Sequence, residues 1–264
     1  MNAIGYSTHE FMACVLARLL VDEEVGIIGT MSDIGYAACR LAQATSAPGL
    51  WCVSGPSGVV NPSATSISPI AGYDLIERAE ALADLTDNLD AIDWSSRIFD
   101  FAILGGMQVD RFGNINTVTI GSWERPVVRG PGAIGASVLA ANCRHHFILM
   151  TNHSCRSFVP EVDFISALGY GRTGNERTAL NLPGGGPDAL VSPLGLFDFH
   201  PQTRELRVRA LMPSVSAEEV RANTGFDLNF PADATPILQA PTRDELAVIR
   251  QSIDRSGKLS APGV

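Results

Sequence analysis

No run of basic residues occurs anywhere in these 264 residues, and Asp plus Glu outnumber Lys plus Arg by 28 to 19, for a formal net charge of −9. Such a chain offers no clustered surface for neutralising a phosphate backbone, which excludes nucleic acid as its partner. A phosphorylated small ligand is still compatible, because a few local arginines and backbone N–H groups suffice for one. Long apolar runs are also missing. Phe101-Ala-Ile-Leu104 and Phe147-Ile-Leu-Met150 are strand-length, far short of the roughly 20 residues that span a bilayer, so no membrane role is expected. The segment Met1–Glu10 lacks a basic stretch followed by an apolar core, and with nothing marking it for secretion a cytoplasmic location is expected. Cysteines are few and odd in number: Cys14, Cys39, Cys52, Cys143 and Cys155, at irregular spacings. They read as reduced structural thiols.

What is present can bury a large core: 45% of residues are hydrophobic and 18% charged, enough for one α/β domain over residues 1–264, as a single body or as two tightly joined lobes. Ser7-Thr-His-Glu10 has capping-box spacing ahead of the apolar-periodic Phe11–Leu20, which predicts an amphipathic first helix. A strand at Val25–Gly29, a helix from Ser32-Asp33 to Ala44 and a strand at Gly49–Val53 then make a βαβ arrangement, whose ligand sites lie beyond strand carboxyl ends. Residues 73–86 read as another helix, and Phe101–Leu104 as a strand entering Gly105-Gly106. Val109–Ile120 reads as a hairpin turning at Asp110–Asn114. Gly130-Pro-Gly-Ala-Ile-Gly135 opens an alanine-rich helix to Asn142, and His146–Thr151 is a strand. A hairpin pairs Gly195–His200 with Glu205–Arg209, and a last helix at Thr242–Ser252 starts from a second capping box, Thr242 with Glu245. No internal repeat, low-complexity tract or linker is seen.

Several segments together carry a resemblance. They are Gly105-Gly-Met-Gln-Val-Asp-Arg-Phe-Gly-Asn-Ile-Asn116, Gly130–Gly135, His153-Ser-Cys-Arg-Ser-Phe-Val159 with Val162-Asp-Phe-Ile165, Val191–Phe199 and Glu218–Phe226. In order and spacing they resemble the β half of family I CoA-transferases, over about residues 5 to 250. The resemblance implies an open, mostly parallel α/β sheet with helices on both faces and added β-hairpins. It further implies an acyl-CoA thioester substrate, no cofactor apart from the coenzyme A of that substrate, and an α-subunit partner in an α2β2 assembly.

One departure from the family directs the functional reading. Where the resemblance places a Glu-(Ser/Asn)-Gly loop whose glutamate attacks the thioester, this chain has Val53-Ser54-Gly55 within Trp51–Pro62. A covalent glutamyl intermediate needs a carboxylate, and valine cannot supply one. Ser54 and Cys52 are conceivable replacements, but no Gly-x-Ser-x-Gly elbow or assigned His-Asp pair activates a serine. Within the superfamily the chain looks closest to the β subunit of the ring-opening hydrolases of actinobacterial steroid catabolism, which cleave a carbon–carbon bond of a cyclic keto-acyl-CoA with a glutamate base carried by the α subunit. Two other functions stay open: a CoA-transferase β subunit with a relocated nucleophile, and a non-catalytic subunit that completes its partner's pocket.

The expected substrate-binding residues are Val53, Ser54, Gly55, Gly105, Gly106, Asn114, Asn116, Gly130 and Gly132, with no certain catalytic residue. Each has a plainer reading. Gly130 and Gly132 could offer N–H groups to a thioester oxygen or a CoA phosphate, or simply make a tight turn. Asn114 and Asn116 suit a hairpin turn, and Gly105-Gly106 could admit a ligand or a neighbouring segment. Arg125, Arg129 and Arg156 could meet a substrate anion or form salt bridges. His145, His146 and His153 do not make a metal site, since adjacent strand residues point to opposite faces. Gly184-Gly-Gly186 lacks the Lys-Ser/Thr of a phosphate loop and reads as a surface turn.

Overall fold

The computed structural model describes residues 5–29, 32–55, 57–67, 73–84, 86 and 98–260. Its contacts gather into two compact units, one of Met1–Ala91 with Gln239–Val264 and one of Ile92–Leu238. The fold is the expected mixed α/β one: in each unit parallel strands are followed by antiparallel pairs.

In the first unit, Ser7 caps a helix at Thr8–Ala17 through the expected capping box. The helix is not amphipathic: every residue from Glu10 to Ala17 is buried, the mark of an element enclosed on all sides. Glu10 survives there because Arg250 donates to it from Nε at 2.6 Å and Nη2 at 2.8 Å. Burial pushes its carboxyl pKa up, but Arg250, the Ser7 N–H and the Ser260 hydroxyl outweigh that and hold it below the usual value. Strand β1 (Val25–Ile28) runs parallel to β2 (Trp51–Ser54), with Ile28 opposite Ser54. The helix Asp33–Ala44 connects them, beginning at Ser32, whose side chain makes no cap hydrogen bond. β2 continues antiparallel to β3 (Val59–Val60), and β3 to β4 (Ala81–Leu82).

β4 corrects the helix expected over residues 73–86, which is confined to Tyr73–Glu77; residues 85 and 87–97 lie outside the described part. Tertiary pairing overrides local propensity here. Glu80 N–H donates to Val60 carbonyl at 3.0 Å and Ala83 N–H to Gly58 carbonyl at 2.9 Å. The unit is closed by a helix at Arg243–Val248 with the expected Thr242–Glu245 capping box, extended by a π turn at Ile249–Ile253.

In the second unit, β5 (Phe101–Leu104) introduces two small antiparallel ribbons, β6 (Gln108–Val109) with β7 (Ile115–Asn116), and β8 (Thr119–Gly121) with β9 (Pro126–Arg129). The first is the expected hairpin turning at Asp110–Asn114. Thr119 and Ile120, expected to continue it, leave instead with Gly121 to pair with β9. β10 (His145–Leu149) lies parallel to β5 and to β11 (Pro187–Ser192), and β11 is followed by antiparallel β12 (Gly195–Phe199) and β13 (Leu206–Leu211). The alanine-rich helix forms at Ala136–Asn142. Phe101, Phe147 and Phe197 are among the fully buried side chains of this core, with Phe101 and Phe147 edge to face at 5.8 Å. No described helix is long and apolar enough to cross a membrane.

Candidate functional site

The expected site residues divide between the units. Val53, Ser54 and Gly55 lie at the carboxyl end of β2, where a βαβ arrangement places ligands. Strand alternation puts Val53, half-buried, on one face and Cys52 and Ser54, buried, on the other. Ser54 Oγ accepts from the Ser57 hydroxyl at 3.1 Å, and Gly55 N–H donates to Ile28 carbonyl at 3.1 Å. Cys52 faces the core beside Cys39; burial, and then Cys39, push its thiol well above the ordinary value. A buried neutral thiol is a poor nucleophile. At Gly55 a Cβ would meet Ile27 Cδ1 and the Ile28 carbonyl at 3.2 Å, so its lack of a side chain lets the loop lie against β1.

The other six residues gather in the second unit around residues 105–117. Gly106 fits under Ile115 and the Asn116 carbonyl: an added Cβ would stand 2.4 Å from Ile115 Cγ2. Gly130 is seated still more tightly, with a Cβ 2.1 Å from the Thr117 carbonyl oxygen. Its N–H donates to Val118 carbonyl at 2.9 Å, and that of Gly132 to Thr117 carbonyl at 3.2 Å. These two donors, the conceivable oxyanion or phosphate ligands, are spent inside the turn. Gly132, at φ +98°, occupies the left-handed region where glycine is favoured. Gly105, at the end of β5, is exposed.

Asn114 and Asn116 are wholly buried. Asn114 Nδ2 donates to Asp110 Oδ2 at 2.9 Å and to Gly171 carbonyl at 2.8 Å, while its Oδ1 accepts the N–H groups of Gly169 and Gly171 at 2.9 and 3.2 Å. Asn116 Nδ2 donates to Gln108 Oε1 at 2.7 Å and Thr119 carbonyl at 2.6 Å, and its Oδ1 accepts from Val118 and Thr119 N–H at 3.0 and 3.2 Å. With both ends of each amide engaged, these asparagines shape the scaffold around the glycine turn. Asp110, 2% exposed, also takes the Phe112 and Asn114 N–H groups at 3.0 and 3.1 Å. Burial outweighs those donors and raises its pKa to about 6.

Arg177 carried no signal in the sequence. It is 5% exposed, and its guanidinium donates to five backbone carbonyls, those of Ala140, Ala141, Leu168, Gly169 and Gly184, at 2.9 to 3.3 Å. Ala140 and Ala141 lie in the last turn of helix 136–142, where carbonyls lack helical donors and a cation is favoured. One side chain thereby joins the helix that follows the glycine turn to the 168–171 loop that holds Asn114. Gly184–Gly186, expected as a surface turn, is partly buried and lies against Arg177, with Gly184 and Gly186 buried.

His146 and His153 are buried in the core. Among the described residues no cluster of metal-binding side chains exists. His153 stacks on Phe158 at 3.5 Å between ring centroids, with Nδ1 2.7 Å from Ser192 Oγ and Nε2 3.1 Å from Thr224 Oγ1. Both ring nitrogens are thus engaged by hydroxyl groups, and Thr224 Oγ1 also lies 2.8 Å from the Val220 carbonyl. His146 is fully buried with neither ring nitrogen hydrogen-bonded. Burial lowers both pKa values to about 3, helped at His146 by Arg177 and His145.

A pH dependence follows. Between pH 6.5 and 3 the unfolded chain binds protons at His146 and His153 that the folded chain refuses, so stability falls on acidification. Asp110 works the other way: its raised pKa means the folded chain binds a proton first between pH 6 and 4, offsetting part of the loss. Two histidines against one carboxylate leave a net loss of about 2–3 kcal/mol from pH 7 to 5. Urea denaturation across that range measures it, and His153→Gln is expected to flatten the slope by about one proton.

A coenzyme A transferase family model matches residues 12–223. One subunit of the 3-oxoadipate CoA-transferase of Pseudomonas knackmussii is 36% identical over 248 residues, 93% of each chain. The IpdB subunit of the cholesterol ring-cleaving hydrolase of Mycobacterium tuberculosis is 29% identical over 246 residues, covering 93% of this chain and 94% of that protein. Among solved structures, glutaconate CoA-transferase from Acidaminococcus fermentans superposes with a TM-score of 0.87 at 24% identity, covering 99% and 100% of the two chains. Rhodococcus jostii IpdAB gives 0.79, also at 24% identity, over 97% and 98%. At that identity these two structures speak for the fold.

Proposed function

From the premise that the chain belongs to the coenzyme A transferase family, as a β-type subunit, we propose that it serves a heteromeric hydrolase that opens a ring of a steroid-derived cyclic keto-acyl-CoA. The observation that carries this reading is Val53. It stands at the carboxyl end of β2, where the transferase reaction needs a carboxylate to hold the acyl group. Hydrolysis of a carbon–carbon bond needs no such group. A base supplied by an α subunit activates water against the ring ketone. The bond between that carbonyl and the carbon α to the thioester then breaks, with the electron pair delocalised into the thioester as an enolate and afterwards protonated. On this reading Val53 lines the space for the ring, and Ser54 and Gly55, buried behind it, shape the loop that presents it. The ring-cleaving hydrolase subunits matched over 93% of this chain support the reading, as does the two-component IpdAB among the structural neighbours; the partner is an α subunit, in an α2β2 assembly.

A second reading has its own support: the 3-oxoadipate CoA-transferase subunit is the more similar of the two relatives, at 36% against 29% identity. The two separate on product. The α/β complex is incubated with a cyclic β-keto-acyl-CoA, and separately with a linear acyl-CoA plus a free carboxylate acceptor. The hydrolase reading expects a ring-opened acyl-CoA bearing a new carboxylate in the first, and no exchange of CoA in the second. Exchange without ring opening would establish the transferase. Ser54→Ala is expected to lower turnover less than about tenfold, against the roughly 100-fold or more that follows loss of a nucleophile.

A further inference from the structure

The first unit carries a second polar site, at the amino end of β2 and away from the Ser54-Gly55 loop. A cavity of about 410 Å³ opens there between the end of helix 33–44 and strands β2 and β3, within the roughly 300–1,000 Å³ of small-molecule pockets. Four of its side chains form one hydrogen-bonded chain. Arg40 Nη1 donates to Gln43 Oε1 at 2.6 Å, Gln43 Nε2 to Asn61 Oδ1 at 3.0 Å, and Asn61 Nδ2 to Glu80 Oε2 at 3.2 Å. Cys52 N–H, donating to Asn61 Oδ1 at 2.8 Å, fixes that amide's orientation. Asn61 holds the left-handed conformation at φ +44° while only 7% exposed, a strained arrangement of the kind found at ligand sites.

The two ends of this hydrogen-bonded chain are charged. Arg40 is half-buried and Glu80 exposed; among the described residues neither forms an ion pair, with each other or with a third group. Trp51, 46% exposed, lines the same cavity. An unpaired guanidinium suits an anion, an open indole face suits a planar ring, and an unpaired carboxylate beside an amide N–H suits a ring edge with adjacent donors and an acceptor.

We propose that this cleft binds a purine nucleotide, and guanine in preference to adenine. Guanine presents N1–H and the 2-amino group side by side to one carboxylate, which is Glu80, and its O6 takes the second hydrogen of Asn61 Nδ2. Adenine would turn its N1 lone pair toward the carboxylate. The base stacks on Trp51, and the phosphate meets Arg40. Nothing in the hydrolase or transferase reading uses this site, so it stands or falls separately from both.

The test is binding of guanosine monophosphate to the intact α/β complex, by equilibrium dialysis and by quenching of tryptophan fluorescence, with no reliance on turnover. Saturable binding of one nucleotide per copy of this chain is expected, at least about tenfold tighter than guanosine or adenosine monophosphate, the worth of one charge-assisted contact. Arg40→Gln is expected to make guanosine monophosphate bind no better than guanosine, and Glu80→Gln to remove the guanine preference. Absence of saturable binding at millimolar nucleotide would overturn the proposal. So would unchanged affinities in both variants, or displacement of the nucleotide by coenzyme A at equal concentration, which would make the cleft part of the substrate's own site.

Discussion

Arg177→Met is expected to destabilise this protein by about 4 kcal/mol or more, at the far end of what single substitutions do. The methionine keeps much of the apolar stem and removes every donor. Carbonyls at Ala140, Ala141, Leu168, Gly169 and Gly184 then lose a partner in a site that little water reaches, and a buried polar group left unmatched costs about 1–3 kcal/mol. The Gly184 N–H still reaches Ala141 carbonyl at 3.1 Å, so the five losses do not add in full. Lysine is expected to recover less than half, because three donors on a point charge cannot span a fan of carbonyls that suits a planar fork. Urea midpoints of the α/β complex measure the difference. A loss below about 1 kcal/mol, the worth of a single ordinary hydrogen bond, would show that the fan is incidental.

Asn114→Asp has the second large effect, and its sign with pH is diagnostic. The present amide donates to both oxygens of Asp110, at 3.1 and 2.9 Å, and to Gly171 carbonyl at 2.8 Å. A carboxylate there would face another carboxylate and a carbonyl with no hydrogen to give. Two buried acids so close cannot both ionise, and one must keep its proton. The expected loss is about 3–4 kcal/mol at pH 7, shrinking as the pH drops toward 5, whereas the wild type becomes less stable over the same range. Asn114→Ala removes the same bonds without adding a second acid; Asp110 loses donors that hold its pKa down, so this loss also shrinks on acidification, but by less than that of Asn114→Asp.

The contrast between these residues shows what a sequence can disclose. The two capping boxes, at Ser7–Glu10 and Thr242–Glu245, were legible because their partners sit three residues apart. The turn at Asp110–Asn114 was legible in part: Asn114 bonds Asp110 four residues back, while its bonds to Gly169 and Gly171 come from distant sequence. Arg177 was not legible, since its partners are backbone carbonyls that no side-chain type marks, four of them lying 36 and 37 positions upstream and eight and nine upstream. The strand at Ala81–Leu82 was hidden for a related reason: its identity comes from Val59–Val60, not from its own composition. At the site, glycine could have meant a ligand or a close approach. The contacts of Gly106 and Gly130 decide for close approach, and the N–H groups of Gly130 and Gly132 are already taken. Val53 needed no geometry to be informative, because a missing carboxylate is a fact of chemistry wherever the loop lies.

That missing carboxylate is tested most directly by the mass of this chain during turnover. The α/β complex is mixed with a cyclic keto-acyl-CoA, quenched in acid within the first turnovers, and analysed by intact mass and by the peptide containing Trp51–Pro62. The chain is expected to carry no acyl or CoA adduct at any time, while oxygen from labelled water enters the new carboxylate of the product. An acyl or CoA group bound covalently to Ser54, Cys52 or any other residue of this loop, with kinetics matching turnover, would contradict the account.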